Sequence, residues 1–384
     1  MPQQQQKRLE FLDSLRGLAA ITVVLSHFVL AYRLDLLSKF LNYSPVHIIY
    51  DGFAAVTFFF VLSGYVLTLS LDKSEKFSLI KFYLKRVFRI MPAYWATLVL
   101  SVIALLYIGS KNTIPASSDW INDFWHKPLP VRGLLNQAFF GLPGSNAELV
   151  PQNWSLKVEM MFSFLIPFLY MIYKRSSILT VIIFNLVLYF VFNIPVFLFH
   201  FSFGMILALY QENIVTWFNK MRSVSKYVVI ALIVLLYTYR YTVPMYYYYV
   251  TRRYSDILSN SDLIWMITGV GASLLLIYAL SSERVQYFLN LRMLTFIGKI
   301  SYAIYLVHMM VLIRITPCFI SFLNHINITG KGVVYLLSII VLLGITMVLS
   351  YLLYITVENP IAKQTTAYLK KIKINSNIYK GLPF

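Results

Sequence analysis

The sequence predicts an all-α, polytopic integral membrane protein with about ten transmembrane helices. Of its 384 residues, 59% are hydrophobic and only 12% are charged, and the mean hydropathy is +0.69. A soluble domain cannot bury so large an apolar share. A bilayer accommodates it, because a helix of about 20 apolar residues crosses the hydrocarbon with its backbone polar groups paired internally.

Ten apolar segments account for the predicted spans. They are Gly17 to Tyr32, Phe53 to Leu71, Ile90 to Ile108, Trp154 to Tyr173, Ile178 to Asn193, Ile194 to Tyr210, Tyr227 to Tyr241, Leu263 to Leu280, Ile300 to Leu323 and Val333 to Val357. The fifth and sixth are short. They are either two helices that meet at Asn193 and Pro195 or one long kinked element.

The basic residues lie in the short segments between the apolar runs. With a cytoplasmic N-terminus, 21 of the 33 lysines and arginines fall on the inner side and nine on the outer side. This bias predicts that both termini are cytoplasmic. The formal charge of +18 is not gathered on one soluble domain, so we expect contacts with membrane lipids and none with nucleic acid.

The first apolar segment has the alternative reading of a cleaved signal peptide, because Lys7 and Arg8 precede it. No small-residue cleavage site follows, and Tyr32 and Arg33 stand where one is expected. We therefore expect this segment to remain as a transmembrane helix.

Two ionisable residues in the first segment, Arg16 and His27, are the sharpest site candidates. Their separation of 11 residues is about three helical turns, or some 16 Å of rise, and places them on nearly the same face with Asp13 one turn earlier. The alternative is that Arg16 only anchors the helix at the inner surface while His27 is a hydrogen-bonded residue between helices.

Five stretches in order resemble the acyltransferase-3 family of membrane proteins. They are residues 11–28 (FLDSLRGLAAITVVLSHF), 58–64 (FFFVLSG), 82–94 (FYLKRVFRIMPAY), 154–167 (WSLKVEMMFSFLIP) and 297–312, followed by Glu358-Asn-Pro360. The first carries the arginine, ten residues, histidine pattern that marks the family. The resemblance covers roughly residues 9 to 360.

This resemblance implies ten core helices, a domain over residues 1–362 and a basic cytoplasmic tail over 363–384. It also implies an acyl donor, usually acetyl-CoA, as a co-substrate from the cytosol, and an envelope or lipid-linked glycan as the acceptor. Lys157 and His200 depart from the family pattern, which bears on the acceptor contacts more than on the reaction type.

The segment from Lys73 to Arg89 carries basic residues on one helical face and apolar residues on the other. We expect an interfacial helix that Pro92 separates from the third span. Binding of anionic lipids would explain this pattern alone. The functional interpretation is that Arg86 and Arg89 hold donor phosphates, for which guanidinium groups are suited.

Three further residues are candidates in the second and fourth spans. Ser63 and Gly64 either leave room for the pantetheine arm of the donor or only permit close helix packing. Glu159 is a buried carboxylate that needs a partner, and Lys157 or His27 is expected to supply it at the depth of His27.

Four polar side chains in the first half of the ninth span are candidates, and Trp154 opens the fourth span. We expect these residues to line a tunnel or contact the acceptor, unless the polar groups serve only as interhelical hydrogen bonds. The four are Ser301, Tyr302, Tyr305 and His308.

The leading hypothesis is an O-acyltransferase that moves an acetyl group from acetyl-CoA to a sugar hydroxyl of an envelope polysaccharide. His27 would be the general base, Arg16 would serve the donor, and Glu159 is a further catalytic candidate. A covalent acyl-histidine is equally compatible with the residues. No metal is expected, since the histidines lack ligand spacing and Cys318, expected to be buried, is the only cysteine.

The rival hypothesis is a secondary transporter or flippase for a polar lipid-linked substrate, in which the same ionisable residues form a proton relay. The sequence shows no internal repeat, and its intramembrane charges cluster toward the first helix. Both observations favour the enzyme.

Overall fold

The computed structural model describes residues 2–32, 44–72, 78–107, 117–122, 124–125, 131–139, 149–253 and 255–371, and throughout these ranges the regular secondary structure is helical. The all-α prediction is confirmed. Helices are numbered here in chain order, beginning with α1 (Pro2–Ala31), α2 (Gly52–Asp72) and α3 (Leu79–Tyr107).

The middle of the chain supplies α4 to α11. These are α4 (Asp119–Asn122), α5 (Val131–Ala138), α6 (Asn153–Arg175), α7 (Ile178–Phe190), α8 (Phe197–Leu209), α9 (Gln211–Lys220), α10 (Ser223–Tyr237) and α11 (Tyr239–Thr251).

The last third supplies α12 to α18. These are α12 (Ser261–Ser281), α13 (Glu283–Leu289), α14 (Arg292–Lys299), α15 (Ser301–Met310), α16 (Thr316–His325), α17 (Lys331–Leu353) and α18 (Asn359–Lys371). Short π-helical turns, Val311–Ile315 and Tyr354–Glu358, join α15 to α16 and α17 to α18.

Among the described residues, seven helical segments are long and apolar enough to cross a bilayer, or eight if the bent pair α10 and α11 counts as one span. The chain is therefore a multi-pass membrane protein. Fewer than the predicted ten described segments, however, are long enough to cross a bilayer. The difference comes from α7 and α8, which have 13 residues each. A helix of that length rises only about 20 Å, less than the roughly 30 Å of hydrocarbon.

The predicted fifth and sixth spans are two short helices and not one kinked element. Residues 191–196 separate them, and Asn193 lies in the left-handed region with a φ of 51°. This conformation is tolerated better by asparagine than by most residues. After this break, α8 packs along α2 in the bundle.

The expected break at Pro92 is wrong. Pro92 lies inside the continuous 29-residue helix α3, so the described part of the basic segment is the first part of the third span and not a separate interfacial helix. Proline costs a helix one hydrogen bond. Here Ile90, Met91, Ala93 and Tyr94 are all buried around it, and this packing keeps the helix intact.

The core of the bundle is formed by α1, α2, α8, α14 and α15. The second helix packs most extensively along α8, while α1 packs against α14, α2 and α15. The first predicted span is thus an internal helix of the bundle. Cys318, expected to be buried, is exposed on α16.

The predicted boundary between residues 362 and 363 falls within α18, which continues to Lys371. The remainder of the predicted tail, residues 372–384, lies outside the described residues.

Candidate active site

Two cavities lie one after the other along α1. The first, the arginine pocket, contains Arg16, Ser63, Arg86, Arg89 and Glu159. The second, the histidine cavity, contains His27. Because 11 residues of helix separate Arg16 from His27, the two side chains are about 16 Å apart along the axis.

The side chain of Tyr305 and the small Val56 line both cavities, so they form the wall between them. The Tyr305 hydroxyl lies 2.6 Å from the Ser155 hydroxyl, and this hydrogen bond ties α15 to α6 across the wall. A molecule that reached from one cavity to the other would pass this pair. Ser155 lies within the family-like stretch 154–167, but no site role was predicted for it.

The arginine pocket carries an excess of positive charge. Arg16 makes an ion pair with Asp13 of its own helix, and the Nη1 atom of Arg86 lies 4.0 Å from Oε1 of Glu159. Arg89 also lines the pocket. Three guanidinium groups at the junction of α1 and α3 suit a ligand with several phosphate oxygens.

The expected partners of Glu159 are wrong. Its Oε1 atom accepts a hydrogen bond from the Ser63 hydroxyl at 3.3 Å and faces Arg86, whereas Lys157 is exposed. The carboxylate also lies in the arginine pocket and not beside His27. The helical period predicts on which face of α6 Glu159 lies. It does not predict which residues contact that face, because those depend on how α6 packs against α2 and α3.

Ser63 and Gly64 point to different places. Ser63 lines the arginine pocket, but Gly64 faces α8, where a Cβ atom would lie 2.2 Å from the Phe201 carbonyl oxygen. This geometry therefore supports close helix packing, and not room for the pantetheine arm, as the role of Gly64.

The predicted residues of the ninth span are divided between the two cavities. Ser301 and Tyr302 line the arginine pocket, and the Tyr302 hydroxyl donates to the Ile90 carbonyl at 2.8 Å. Tyr305 stands in the wall, and His308 is fully buried beyond it. Trp154 lines the histidine cavity.

Half-buried His27 contacts the fully buried His308. Nδ1 of His27 lies 2.9 Å from Nε2 of His308, and the two rings are nearly coplanar, with an interplanar angle of 3°. This contact joins α1 to α15 across 281 residues of sequence. The sequence indicated both residues separately but not their pairing.

The hydrogen bonds assign the tautomers of this pair. Nδ1 of His308 lies 3.2 Å from the Ile304 carbonyl, which can only accept, so this nitrogen carries the proton. Nε2 of neutral His308 then accepts from Nδ1–H of His27. The remaining nitrogen, Nε2 of His27, is left with its lone pair, as a general base requires.

The histidine cavity is the roomier of the two, with a volume of about 640 Å³ against about 80 Å³ for the arginine pocket. Its walls are largely aromatic, and the Trp120 ring stacks on His27 at a centroid distance of 5.5 Å. Many of its lining residues were not predicted as site residues. Four of them lie near helix ends or in short connecting segments: Trp120, Gln152, Arg240 and Trp265.

No group of three histidine, cysteine, aspartate or glutamate side chains in the described ranges is arranged to hold a metal ion.

Comparisons with known proteins agree with the family resemblance of the sequence motifs that contribute to these cavities. The model of a family described as an acyltransferase domain matches residues 9–355. A relative from Staphylococcus aureus, named O-acetyltransferase OatA, is 26% identical over 395 residues, which cover 94% of this chain and 59% of the relative.

Two other relatives match about half of the chain. Peptidoglycan O-acetyltransferase OatA of Listeria monocytogenes is 29% identical over 189 residues, covering 46% of this chain and 27% of the relative. Nodulation protein 10 of Rhizobium leguminosarum is 29% identical over 177 residues, covering 42% of this chain and 44% of the relative.

The chain spans less than two thirds of the length of each of these relatives, and no solved structure matches it. The family match, by contrast, covers nearly the whole chain, including Arg16, His27, Glu159 and His308. The chain therefore belongs to the acyltransferase-3 family.

Proposed function

We propose that this protein is an O-acyltransferase that moves an acetyl group from acetyl-CoA to a sugar hydroxyl of a cell-envelope glycan. The observation that carries the proposal is the contact between half-buried His27 and buried His308, which leaves a basic nitrogen beside a cavity that Tyr305 separates from a cluster of arginines. The named activities of the two OatA relatives support it.

The donor occupies the arginine pocket in this proposal. Arg16, Arg86 and Arg89 bind its phosphates, and the narrow volume beyond them suits the thin pantetheine arm better than a sugar. The thioester end then lies near the Tyr305–Ser155 pair. Glu159, held by Ser63 and Arg86, orients the arginines and is not within reach of His27.

The acceptor sugar occupies the histidine cavity. Nε2 of His27 takes the proton from the sugar hydroxyl as its oxygen attacks the thioester carbonyl. The tetrahedral intermediate collapses with breakage of the carbon–sulfur bond, and the protonated His27 returns its proton to the thiolate of CoA. Transfer through an acyl-histidine would use the same nitrogen as the nucleophile.

The direct test is incubation of purified protein with radiolabelled acetyl-CoA and envelope glycan. Label that enters the glycan as a base-labile ester supports the proposal. Movement of glycan across a vesicle membrane without any esterification would support a transporter and contradict it.

The proposed orientation places both termini in the cytoplasm and the protein in the bacterial inner membrane. The charge bias motivates it, and it puts the arginine pocket on the side where CoA is found. We expect reporter fusions after Ser118 to give an extracytoplasmic signal and fusions at Phe384 a cytoplasmic one. An extracytoplasmic signal at Phe384 would contradict this orientation.

The donor site predicts a specific kinetic defect. We expect Arg86→Ala and Arg89→Ala to raise the KM for acetyl-CoA with a smaller effect on kcat, because these charges bind phosphates remote from the reacting carbonyl. One charge-assisted hydrogen bond is worth about 1.5 to 3 kcal/mol, or roughly 10- to 150-fold in KM.

Lys85→Ala is the matched control for this prediction. Lys85 is an exposed cation of the same helix that does not line the pocket. If both arginine variants have the same KM for acetyl-CoA as the wild type and Lys85→Ala, the two arginines do not bind the donor and serve only to bind lipid.

A further inference from the structure

We propose that Arg240 recognises an anionic group of the acceptor, so that the histidine cavity takes a sugar carrying a carboxylate or a phosphate. Arg240, the second residue of α11, lines this cavity together with His27. The inference rests on the proposed function in that it assigns the histidine cavity to the acceptor.

Arg240 is the only formally charged residue among the described side chains that line the cavity. Its guanidinium carbon lies 4.7 Å from the centre of the Phe53 ring and 5.4 Å from that of Tyr241. These contacts hold the flat face of the guanidinium group but leave its N–H donors, which lie in the plane, available to an anion.

Asp51 is the carboxylate that acts on Arg240, but it is engaged elsewhere. Its Oδ1 atom accepts the Ala54 backbone N–H at 2.9 Å and so caps the start of α2. Its Oδ2 atom lies 3.8 Å from Nε2 of His47, a contact that is an ion pair only when His47 is protonated. Asp51 therefore fixes the start of α2 and does not make an ion pair with Arg240.

The protonation states of Asp51 and His47 leave little negative charge beside Arg240. Burial raises the pKa of Asp51 to about 7, so a large fraction of this carboxyl is neutral at neutral pH. Burial and the positive charge of Arg240 lower the pKa of His47 to about 4, so His47 is neutral as well. An incoming anion would meet a guanidinium group that makes no ion pair with any of the described residues, and whose neighbour Asp51 is only partly ionised.

The rest of the cavity suits a sugar ring. The indole rings of Trp120, Trp154 and Trp265 line it and present apolar faces of the kind on which a pyranose ring packs. Gln152 adds a polar group: its amide nitrogen donates to the carbonyls of Tyr305 and Leu306, at 2.8 and 2.6 Å.

The Oε1 atom of Gln152 is buried and has no hydrogen-bond partner among the residues that the structure describes. The two carbonyls fix the orientation of the amide, because they can only accept. This oxygen is an acceptor in need of a donor, and a sugar hydroxyl or acetamido N–H in the cavity would supply one. The cavity thus offers one cation, one acceptor and aromatic walls in addition to the basic nitrogen of His27.

The test compares three sugars that share one ring: N-acetylglucosamine, N-acetylmuramic acid, which adds a carboxylate, and N-acetylglucosamine 1-phosphate. Binding to purified full-length protein is followed by tryptophan fluorescence, since three tryptophans line the cavity. We expect at least one anionic sugar to bind tenfold or more tightly than the neutral one. The sugar with the larger gain identifies the anion as a carboxylate or a phosphate.

Arg240→Gln should abolish this preference while binding of N-acetylglucosamine changes less than threefold. Arg240→Lys should retain part of it, which separates loss of charge from loss of folding. Lys331→Gln removes a positive charge from an exposed residue outside the cavity and should keep the full preference. Equal binding of all three sugars to the wild type, or equal losses for all three in Arg240→Gln, would overturn the inference.

The proposed function fails separately from this inference. A preference for anionic sugars that depends on Arg240, without acetyl transfer to any glycan, would leave the anion site in place and contradict the enzyme activity. Acetyl transfer that proceeds equally well on neutral and anionic acceptors would support the enzyme activity and contradict the anion site.

Discussion

His27→Ala is expected to lower kcat for acetyl transfer by about 10²- to 10⁴-fold, the usual contribution of a positioned general base. The loss should persist at saturating acetyl-CoA, because His27 lies in the histidine cavity and not among the arginines. The protein should remain folded. Removing the imidazole leaves only Nε2 of His308 without its partner, at a cost of about 1 to 3 kcal/mol.

Purified variants in detergent, checked by size-exclusion chromatography and thermal unfolding, allow this measurement. His325→Ala is the control, since it removes an imidazole at the exposed end of α16. Arg16→Ala should differ from His27→Ala by raising the demand for acetyl-CoA as well as slowing turnover. Transfer by His27→Ala within a few-fold of the wild type would end the assignment, and His308 would become the next candidate.

The sequence was sufficient for the parts of this fold that depend on local patterns. Apolar runs predicted each of the long helices because burial in a bilayer needs length and hydrophobicity alone. The face shared by Arg16 and His27 followed from the helical period, and the structure uses that face to line both cavities.

The parts that failed depend on how helices dock. The period of α6 placed Glu159 on an inward face, but only the approach of α2 and α3 decides that its neighbours are Ser63 and Arg86. The contact of His27 with His308 likewise crosses most of the chain. Arg240 stood at the end of a predicted span, where an arginine is an ordinary interfacial residue, so nothing local marked it as part of a cavity.

Gly64 presents the same difficulty, because a glycine that opens a cavity and one that permits close packing look identical in sequence. In the structure, α2 and α8 approach so closely that an added Cβ on Gly64 would lie 2.2 Å from the Phe201 carbonyl oxygen, and one on Gly204 would lie 1.9 Å from that of Val61. Both contacts are with backbone, which cannot rotate away.

We therefore expect Gly64→Ala and Gly204→Ala to destabilise the protein strongly, since both force the backbones of α2 and α8 apart. Overpacking of this kind typically costs about 1 to 3 kcal/mol, and more where the obstacle is backbone. The measurement is the thermal unfolding midpoint of each variant in detergent.

Gly344→Ala is the matched control. Gly344 lies within α17 with open space where its Cβ would be, and replacing a helical glycine by alanine there should be neutral or stabilising by up to about 1 kcal/mol. If Gly64→Ala instead unfolds like the wild type but loses acetyl-CoA binding, Gly64 faces the donor and the packing of α2 against α8 is not its role. A fall in stability for Gly64→Ala and Gly204→Ala alike, with Gly344→Ala unaffected, would assign the glycine pair to helix packing. Of the neighbours Ser63 and Gly64 on α2, Ser63, which lines the arginine pocket, would then be the residue that meets the donor.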